Sequence, residues 1–148
     1  MQAPARCQIG RAVLVDAVDR TIAFPLKLRP GARILEDALA NPFFMHGDTA
    51  WSLIAQLPRE AVEEYLQDRR RRGFNTLLVN LLEHRFATDA PNNAYGEPPF
   101  LTAGDYATPN EKYFAHADWV VARAEELGFV ILLAPSYVGH QGGNEGWY

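Results

Sequence analysis

The sequence is poor in cysteine, in basic charge and in long apolar runs, and each shortage excludes a class of protein. Cys7 is the only cysteine among 148 residues, so neither an intrachain disulfide nor a cysteine zinc site can form. A net charge of -4 gives the protein no electrostatic reason to bind DNA or anionic lipid. No run approaches the roughly 18 apolar residues of a membrane span. We therefore expect a soluble globular chain with no nucleic-acid partner and no membrane partner.

The N-terminus also lacks the pattern of a signal peptide. Arg6 and Arg11 are not followed by an apolar stretch of about 7–15 residues. An upstream leader would escape this reading if the start of the chain were misplaced, so the sequence leaves the localisation unknown.

Hydrophobic patterning predicts three short buried strands separated by two amphipathic helices. The strands are expected near residues 43–47, 74–82 and 129–134. One helix should begin at Pro58 and end before Gly73, and the other should run from a cap at Asn110 to Gly128. The one basic run, Arg69–Arg72, falls in the last turn of the first helix, where cations complement the helix dipole. We interpret it as a solvated helix end, with nucleic-acid binding as the minor alternative.

Apolar strands that alternate with amphipathic helices predict an α/β fold with a parallel, helix-covered sheet. Both an open doubly wound sheet and a (β/α)8 barrel fit this order. Residues 47–51, which follow the first strand, contain no Gly-x-Gly-x-x-Gly and no phosphate-binding Lys-Ser/Thr, so no nucleotide cofactor is indicated. Polar and aromatic residues follow each strand end, as in barrel enzymes. A barrel needs about 250 residues, so we expect about three β/α units of one, cut after the third strand.

Two regions are predicted along the chain. Residues 1–30 form an N-terminal extended or β segment, in which Pro25 restricts the 24–28 stretch to an edge position. Residues 31–148 form the partial (β/α)8 domain. Its long loop, 83–109, is rich in proline, glycine and aromatic residues and is expected to be ordered over the body of the protein.

Several short motifs of the sequence resemble those of the apiosidase-like glycoside hydrolases. This family is a TIM-barrel domain of unknown function that is often found beside a predicted collagen-binding domain. The most specific are Gly-Asp-Thr-Ala-Trp at 47–51 and Gly-Phe-Asn at 73–75. The resemblance begins at Pro25 and continues through the motifs at residues 25–28, 43–46, 65–66, 80–84, 90–93, 113–118, 132–135 and 142–148.

The resemblance implies a (β/α)8 catalytic domain that hydrolyses glycosidic bonds of plant or microbial polysaccharide by a retaining mechanism with two carboxylates. In such barrels these acids follow the fourth and seventh strands. The chain is expected to stop after the third, as an N-terminal portion whose partner is the missing C-terminal half. No catalytic residue is therefore assignable, the chain's own enzymatic activity is left open, and we predict that it has none alone. An extracytoplasmic location would suit the family.

Seven residues near the predicted strand ends are candidates for binding a carbohydrate substrate. They are Asp48, Trp51, Asn80, Glu83, His84, His140 and Trp147. Carboxylates can bind sugar hydroxyls and indoles can stack on sugar rings, whereas a turn cap, a salt bridge or loop packing would explain the same residues without a ligand. Because parallel strands end on the same side, we expect Asp48, Glu83, His84 and Trp147 around one concave face.

Two other functions remain open. A non-catalytic module that binds carbohydrate or protein would have the same composition. A metal-dependent barrel hydrolase could use His46 and His84, although no histidine pair has metal-ligand spacing within one element and no metal site is predicted.

Overall fold

A computed structural model describes residues 22–139 of the chain. The predictions for residues 1–21 and 140–148, including His140 and Trp147, lie outside the described residues. The elements in chain order are β1 (Lys27–Leu28), β2 (Leu35–Glu36), β3 (Pro42–Phe43), β4 (Gly47–Thr49), α1 (Leu53–Gln56), α2 (Arg59–Arg71), β5 (Thr76–Leu82), α3 (Glu111–Glu126) and β6 (Val130–Ser136).

The first three strands form a small antiparallel sheet in the order β1-β2-β3. The buried carboxylate of Glu36 accepts a hydrogen bond from Arg29 Nε at 2.8 Å. In the turn to β3, Asp37 Oδ1 accepts from the amides of Leu39 and Asn41, which fixes the reversal of the chain. Since β1 lies within residues 1–30 and its partners lie beyond, this sheet crosses the expected domain boundary, which stays a prediction.

The expected strand at 43–47 is wrong in its position. Pro42–Phe43 closes the small sheet, and the parallel strand begins only at Gly47. The intervening backbone is bound by a side chain instead of a strand ladder: Asn75 Oδ1 accepts from His46 N at 2.8 Å, and Asn75 Nδ2 donates to Phe44 O at 2.7 Å. An apolar run therefore marked a linker between two sheets.

The second sheet is parallel, as predicted, in the order β4-β5-β6. Gly47 pairs with Thr76, and Thr76 pairs with Val130. The strands β5 and β6 lie close to the expected ranges 74–82 and 129–134. In this register the carboxyl ends of all three strands meet at one edge of the sheet, which we call the strand-end face.

Two long helices cover one side of this sheet, and their ends match the sequence signals closely. Pro58 precedes α2 rather than opening it, and the side chain of Asn110 caps α3 by accepting from Lys112 N at 3.1 Å. Gly73 and Gly128 adopt φ of +83° and +76° just beyond the two helices, a conformation that favours glycine. The short helix α1 was not predicted. No helix within residues 22–139 is both long and apolar enough to cross a bilayer.

The hydrophobic core lies between the parallel sheet and these helices. Leu77 and Val79 of β5 are fully buried against residues of the three helices, among them Leu53, Val62, Leu66, Tyr113 and Val120. Burying each such aliphatic side chain contributes about 1.5–3 kcal/mol. In contrast, Leu132 and Leu133 of β6 are each 42% exposed, so that strand is covered less than β5 on both of its faces.

Candidate functional site

The strand-end face gathers side chains from three separate segments of the chain. Trp51 and Ser52 follow β4, Glu83 follows β5, and Tyr137 follows β6. Asn80, inside β5, is joined to the segment that follows β4, because the backbone amide of Asn80 donates to Trp51 O at 2.9 Å. This bond extends the β4–β5 pairing to the edge and fixes the position of Trp51 relative to β5.

Glu83 is the most deeply buried acid of this face, with no exposed surface. Its Oε1 accepts from Ser52 Oγ at 2.9 Å, and its Oε2 accepts from the amide of Phe86 at 3.2 Å. Both donors are uncharged. Tyr113 lies close by, donating from its hydroxyl to Leu81 O at 2.6 Å, and burial together with the Glu83 charge raises the pKa of Tyr113.

The side chain of Asn80 is fully buried and only partly satisfied. Its Nδ2 donates to Leu82 O at 2.9 Å, while its Oδ1 has no hydrogen-bond partner among the described residues. Leaving a buried amide oxygen unpaired costs about 1–3 kcal/mol, so such a group usually meets a donor in the functional state. A sugar hydroxyl or a side chain from elsewhere in the protein could supply that donor.

Three aromatic rings form a wall beside these polar groups. The rings of Trp51 and Tyr137 meet edge to face at 5.6 Å, and those of Phe86 and Tyr137 lie 5.8 Å apart. Phe86 is 51% exposed, so part of the wall faces solvent. Large apolar rings with polar groups beside them suit a ligand that has both apolar faces and hydroxyls.

The expected placement of Asp48 on this face is wrong. Asp48 lies inside β4 and is aligned with Leu77, whose side chain faces the helices. Its carboxylate accepts from Tyr65 Oη at 2.8 Å and from Arg69 Nε, both on α2. Successive side chains of a strand alternate between its faces, so the error in the strand position turned this residue to the wrong side.

The charges around Asp48 confirm that it is engaged with the helix layer. The hydrogen bond from Arg69 is the main cause that lowers the pKa of Asp48, with a further contribution from Tyr65. Burial and the bond to Asp48 raise the pKa of Tyr65 to about 12. The helix end Arg69–Arg72 is likewise engaged with acids, since Asp68 pairs with Arg69 and Arg72.

His84 is exposed and lines a cavity of about 480 Å³ in the 83–110 loop. Of the seven candidate residues, the structure therefore brings Trp51, Asn80 and Glu83 together, with His84 beside them, and turns Asp48 away. His140 and Trp147 lie outside the described residues. Sequence reasoning missed Ser52 and Phe86, although each stands close in sequence to a chosen candidate.

His46 and His84 lie at opposite ends of the sheet. The His46 ring stacks on Phe74 at 4.3 Å and its Nδ1 lies 3.1 Å from Gly73 O, before β5 begins, whereas His84 follows the end of β5. Seven strand residues at about 3.3 Å each separate the two by roughly 23 Å, too far for one metal ion. Within residues 22–139, no three His, Cys, Asp or Glu side chains converge as a metal site.

Solved structures with this architecture define the class of protein. A structure described as a glycoside hydrolase is 28% identical, with a TM-score of 0.63. A glycoside hydrolase family 5 protein from Bacteroides vulgatus ATCC 8482 is 26% identical, with a TM-score of 0.64. Each match covers 74% of this chain but only 24% of the other, so the chain spans about a quarter of those proteins. The fold is therefore similar to part of a glycoside-hydrolase barrel.

The family follows from a comparison with family models. The model of the apiosidase-like catalytic domain matches residues 29–148, and the chain belongs to this glycoside-hydrolase family. The resemblance noted in the sequence is thereby confirmed. No protein of curated function matches the chain significantly.

Proposed function

We propose that this chain supplies the first three β/α units of a (β/α)8 glycoside hydrolase and that its strand-end face binds the polysaccharide substrate. The observation that carries the proposal is the convergence of Trp51, Asn80, Glu83 and Tyr137 at the carboxyl ends of three parallel strands. Barrel enzymes build their substrate sites at this end of the sheet.

The exposure of β6 supports continuation of the sheet into a barrel. Leu132 and Leu133 point to opposite faces of β6, and both are 42% exposed. Strands of an all-parallel sheet are normally buried on both faces by neighbouring strands and helices. Further β/α units that follow β6 would cover both leucines and close the sheet.

Each group of the strand-end face suits a particular role toward a sugar. The rings of Trp51 and Tyr137 offer apolar surface to the C–H face of a sugar ring. Asn80 Oδ1 is a buried acceptor for a sugar hydroxyl. Glu83 is a positioning residue, because the hydrogen bond from Ser52 ties the segment after β4 to the segment after β5, and the bond from the Phe86 amide holds the Glu83 side chain in place.

Hydrolysis itself is assigned to residues outside this chain. A retaining glycosidase needs two carboxyl groups about 5–5.5 Å apart, one protonated and one ionised. The family resemblance puts these acids after the fourth and seventh strands of the barrel. The 148-residue chain alone is therefore proposed to bind weakly and to have no glycosidase activity.

The test compares the full-length protein with the isolated chain on plant cell-wall polysaccharides, with release of reducing ends as the readout. We expect turnover by the full-length protein only. In the full-length protein, W51A should raise KM, while W119A should leave it unchanged because Trp119 lies on α3 near Arg59, away from the strand-end face. Turnover by the isolated chain, or no turnover of any polysaccharide by the full-length protein, would contradict the proposal.

A further inference from the structure

The loop between β5 and α3, residues 83–110, forms a partly open cavity of about 480 Å³. This volume falls within the range of about 300–1,000 Å³ that small-molecule sites occupy. The loop starts at Glu83 of the strand-end face, and the next residue, His84, lines the cavity. None of the functions assigned so far uses it.

The cavity wall is mostly apolar. It is lined by three prolines (Pro91, Pro98 and Pro99), by Phe100 and Leu101, and by His84 and the small residues Ala90, Ala103 and Gly104. His84 is the only ionisable side chain among the described residues that line the cavity. Water beside such a wall has few hydrogen-bond partners, so an apolar group that displaces it is favoured.

Hydrogen bonds within the loop hold the cavity in shape. The buried residue Asn110 holds the Pro98 and Pro99 side of the cavity. Its backbone amide donates to Pro99 O at 2.9 Å, and its Nδ2 donates to Pro98 O at 2.8 Å. The Phe100–Leu101 side is fixed by pairing with the chain's return, since Leu101 N donates to Thr108 O at 2.8 Å. A preformed cavity loses less conformational entropy when a ligand binds.

We propose that this cavity is a subsite for a sugar residue of the bound polysaccharide that carries a methyl group, either the C6 methyl of a 6-deoxy sugar or an O-methyl group. The inference rests on the proposed function, because the strand-end face must hold the neighbouring sugar. Hydroxyl groups of an ordinary hexose would find few partners on this wall, whereas a methyl group is matched by proline rings and by Phe100.

The proposed subsite makes a quantitative prediction for pairs of sugars in which one member carries the methyl group. In the O-methyl pair the methyl is an added group, and its burial contributes about 0.8 kcal/mol, which converts to about fourfold in Kd. In the 6-deoxy pair the methyl replaces a hydroxymethyl group, so the preference comes from the hydroxyl that the parent sugar would have to desolvate on this wall. The methylated member of the pair that fits the subsite should therefore bind about fourfold tighter or more.

The experiment is an NMR titration of the full-length protein, with the amides of Leu101, Ala103 and Gly104 as reporters. The probes are 6-deoxy-L-galactose against L-galactose and 3-O-methyl-D-glucose against D-glucose, so that the two methyl sources are read separately. A preference within at least one pair is expected. A103W should fill the cavity and weaken that binding by about tenfold, while A94W, on an exposed turn outside the cavity, should not change it.

Equal binding within both pairs, or an unchanged Kd in A103W, would overturn the subsite. Tighter binding of phenol than of either methylated sugar would overturn it in favour of a general apolar cleft. Release of reducing ends by the same preparation tests the proposed function independently: turnover without methyl preference removes only the subsite, and methyl preference without turnover removes the hydrolase.

Discussion

Asp48, inside β4, and Glu83, just after the neighbouring strand β5, are acids whose surroundings differ, the first partly and the second fully buried. Asp48 lies on the helix-facing side and accepts hydrogen bonds from Arg69 and Tyr65, which join β4 to α2. Glu83 lies at the strand-end face and is held by uncharged donors, Ser52 Oγ and an amide. A carboxylate therefore joins a strand to a helix in one place and holds together the segments of the strand-end face in the other.

The contrast extends to the apolar residues of the two regions. The helix-facing side is closed, with Leu66 and Leu77 fully buried, whereas the strand-end face and its loop leave Phe86 and Leu101 largely exposed. Changes on the helix-facing side should thus lower stability, and changes at the strand-end face should lower substrate affinity or turnover. The following predictions separate the two, in order of the size of the expected effect.

L66A should have the largest effect on stability. Leu66 is fully buried in the core between α2 and the sheet, and truncation of such a leucine lowers the free energy of unfolding by about 2–5 kcal/mol. L101A is the matched control, because Leu101 is 71% exposed and its truncation should change stability by about 0.5 kcal/mol or less. Urea unfolding of the full-length protein measures both, and equal losses would contradict the distinction.

E83Q should have the largest effect on activity. Glutamine keeps the size of the side chain but has one acceptor oxygen, so it cannot accept from both Ser52 Oγ and the amide of Phe86, and the link from Ser52 to the segment after β5 is weakened. The loss of one hydrogen bond to a charged group, about 1.5–3 kcal/mol, predicts a fall of about 10–100-fold in kcat/KM. If E83Q turned over polysaccharide like the natural protein, Glu83 would have no positioning role.

D48N should lower the stability of the protein without lowering its activity. It weakens the charged bond to Arg69, so we expect the free energy of unfolding at neutral pH to fall by about 1–3 kcal/mol while kcat/KM stays unchanged. D118N, an exposed change on α3, is the control and should affect neither quantity. If D48N lowered kcat/KM and left the stability unchanged, Asp48 would have to act in substrate binding rather than in the fold.

The ion pair between α2 and α3 should make stability depend on pH. Arg123 donates to both carboxylate oxygens of Glu63, at 2.6 and 2.7 Å, and its hydrogen bond lowers the pKa of Glu63 from 4.5 to about 2. A lowered folded-state pKa stabilises the protein above pH 4.5, and this stability is lost as pH falls toward 2.

E63Q should therefore be less stable than the natural protein at pH 7, with a gap that narrows between pH 4.5 and 2. E64Q, a change of an exposed neighbour, should show no such convergence. Urea unfolding at several pH values measures the gap, and a gap that is constant with pH would show that the charge of Glu63 is not its cause.

Much of the fold could be predicted from the sequence because local patterns agreed with tertiary packing. The apolar runs that became β5 and β6 are long enough to be recognised as buried strands, and the cap at Asn110 and the stops at Gly73 and Gly128 marked the helix ends. These signals depend on residues close together in the chain, which is why they were reliable.

The site could be predicted only in part because it depends on contacts between distant residues. Asn75 holds the backbone of 44–46 across about thirty positions, and nothing local to Phe43–Met45 distinguishes that linker from a strand. Because the sequence placed this strand, β4, too early in the chain, it also predicted the wrong side of the sheet for Asp48. The bond from Ser52 to Glu83 spans 31 positions and could not be read from either segment alone.

The most direct test of the account is an NMR titration of the full-length protein with an oligosaccharide taken from the polysaccharide that it hydrolyses. The indole signals of Trp51 and Trp119 are followed, and the variants W51F and W119F assign them. Trp51 belongs to the aromatic wall of the strand-end face, whereas Trp119 packs near Arg59 and His116 on the helix layer. The account predicts a saturable shift of the Trp51 signal and none of the Trp119 signal. A shift of Trp119 with Trp51 unmoved would contradict it.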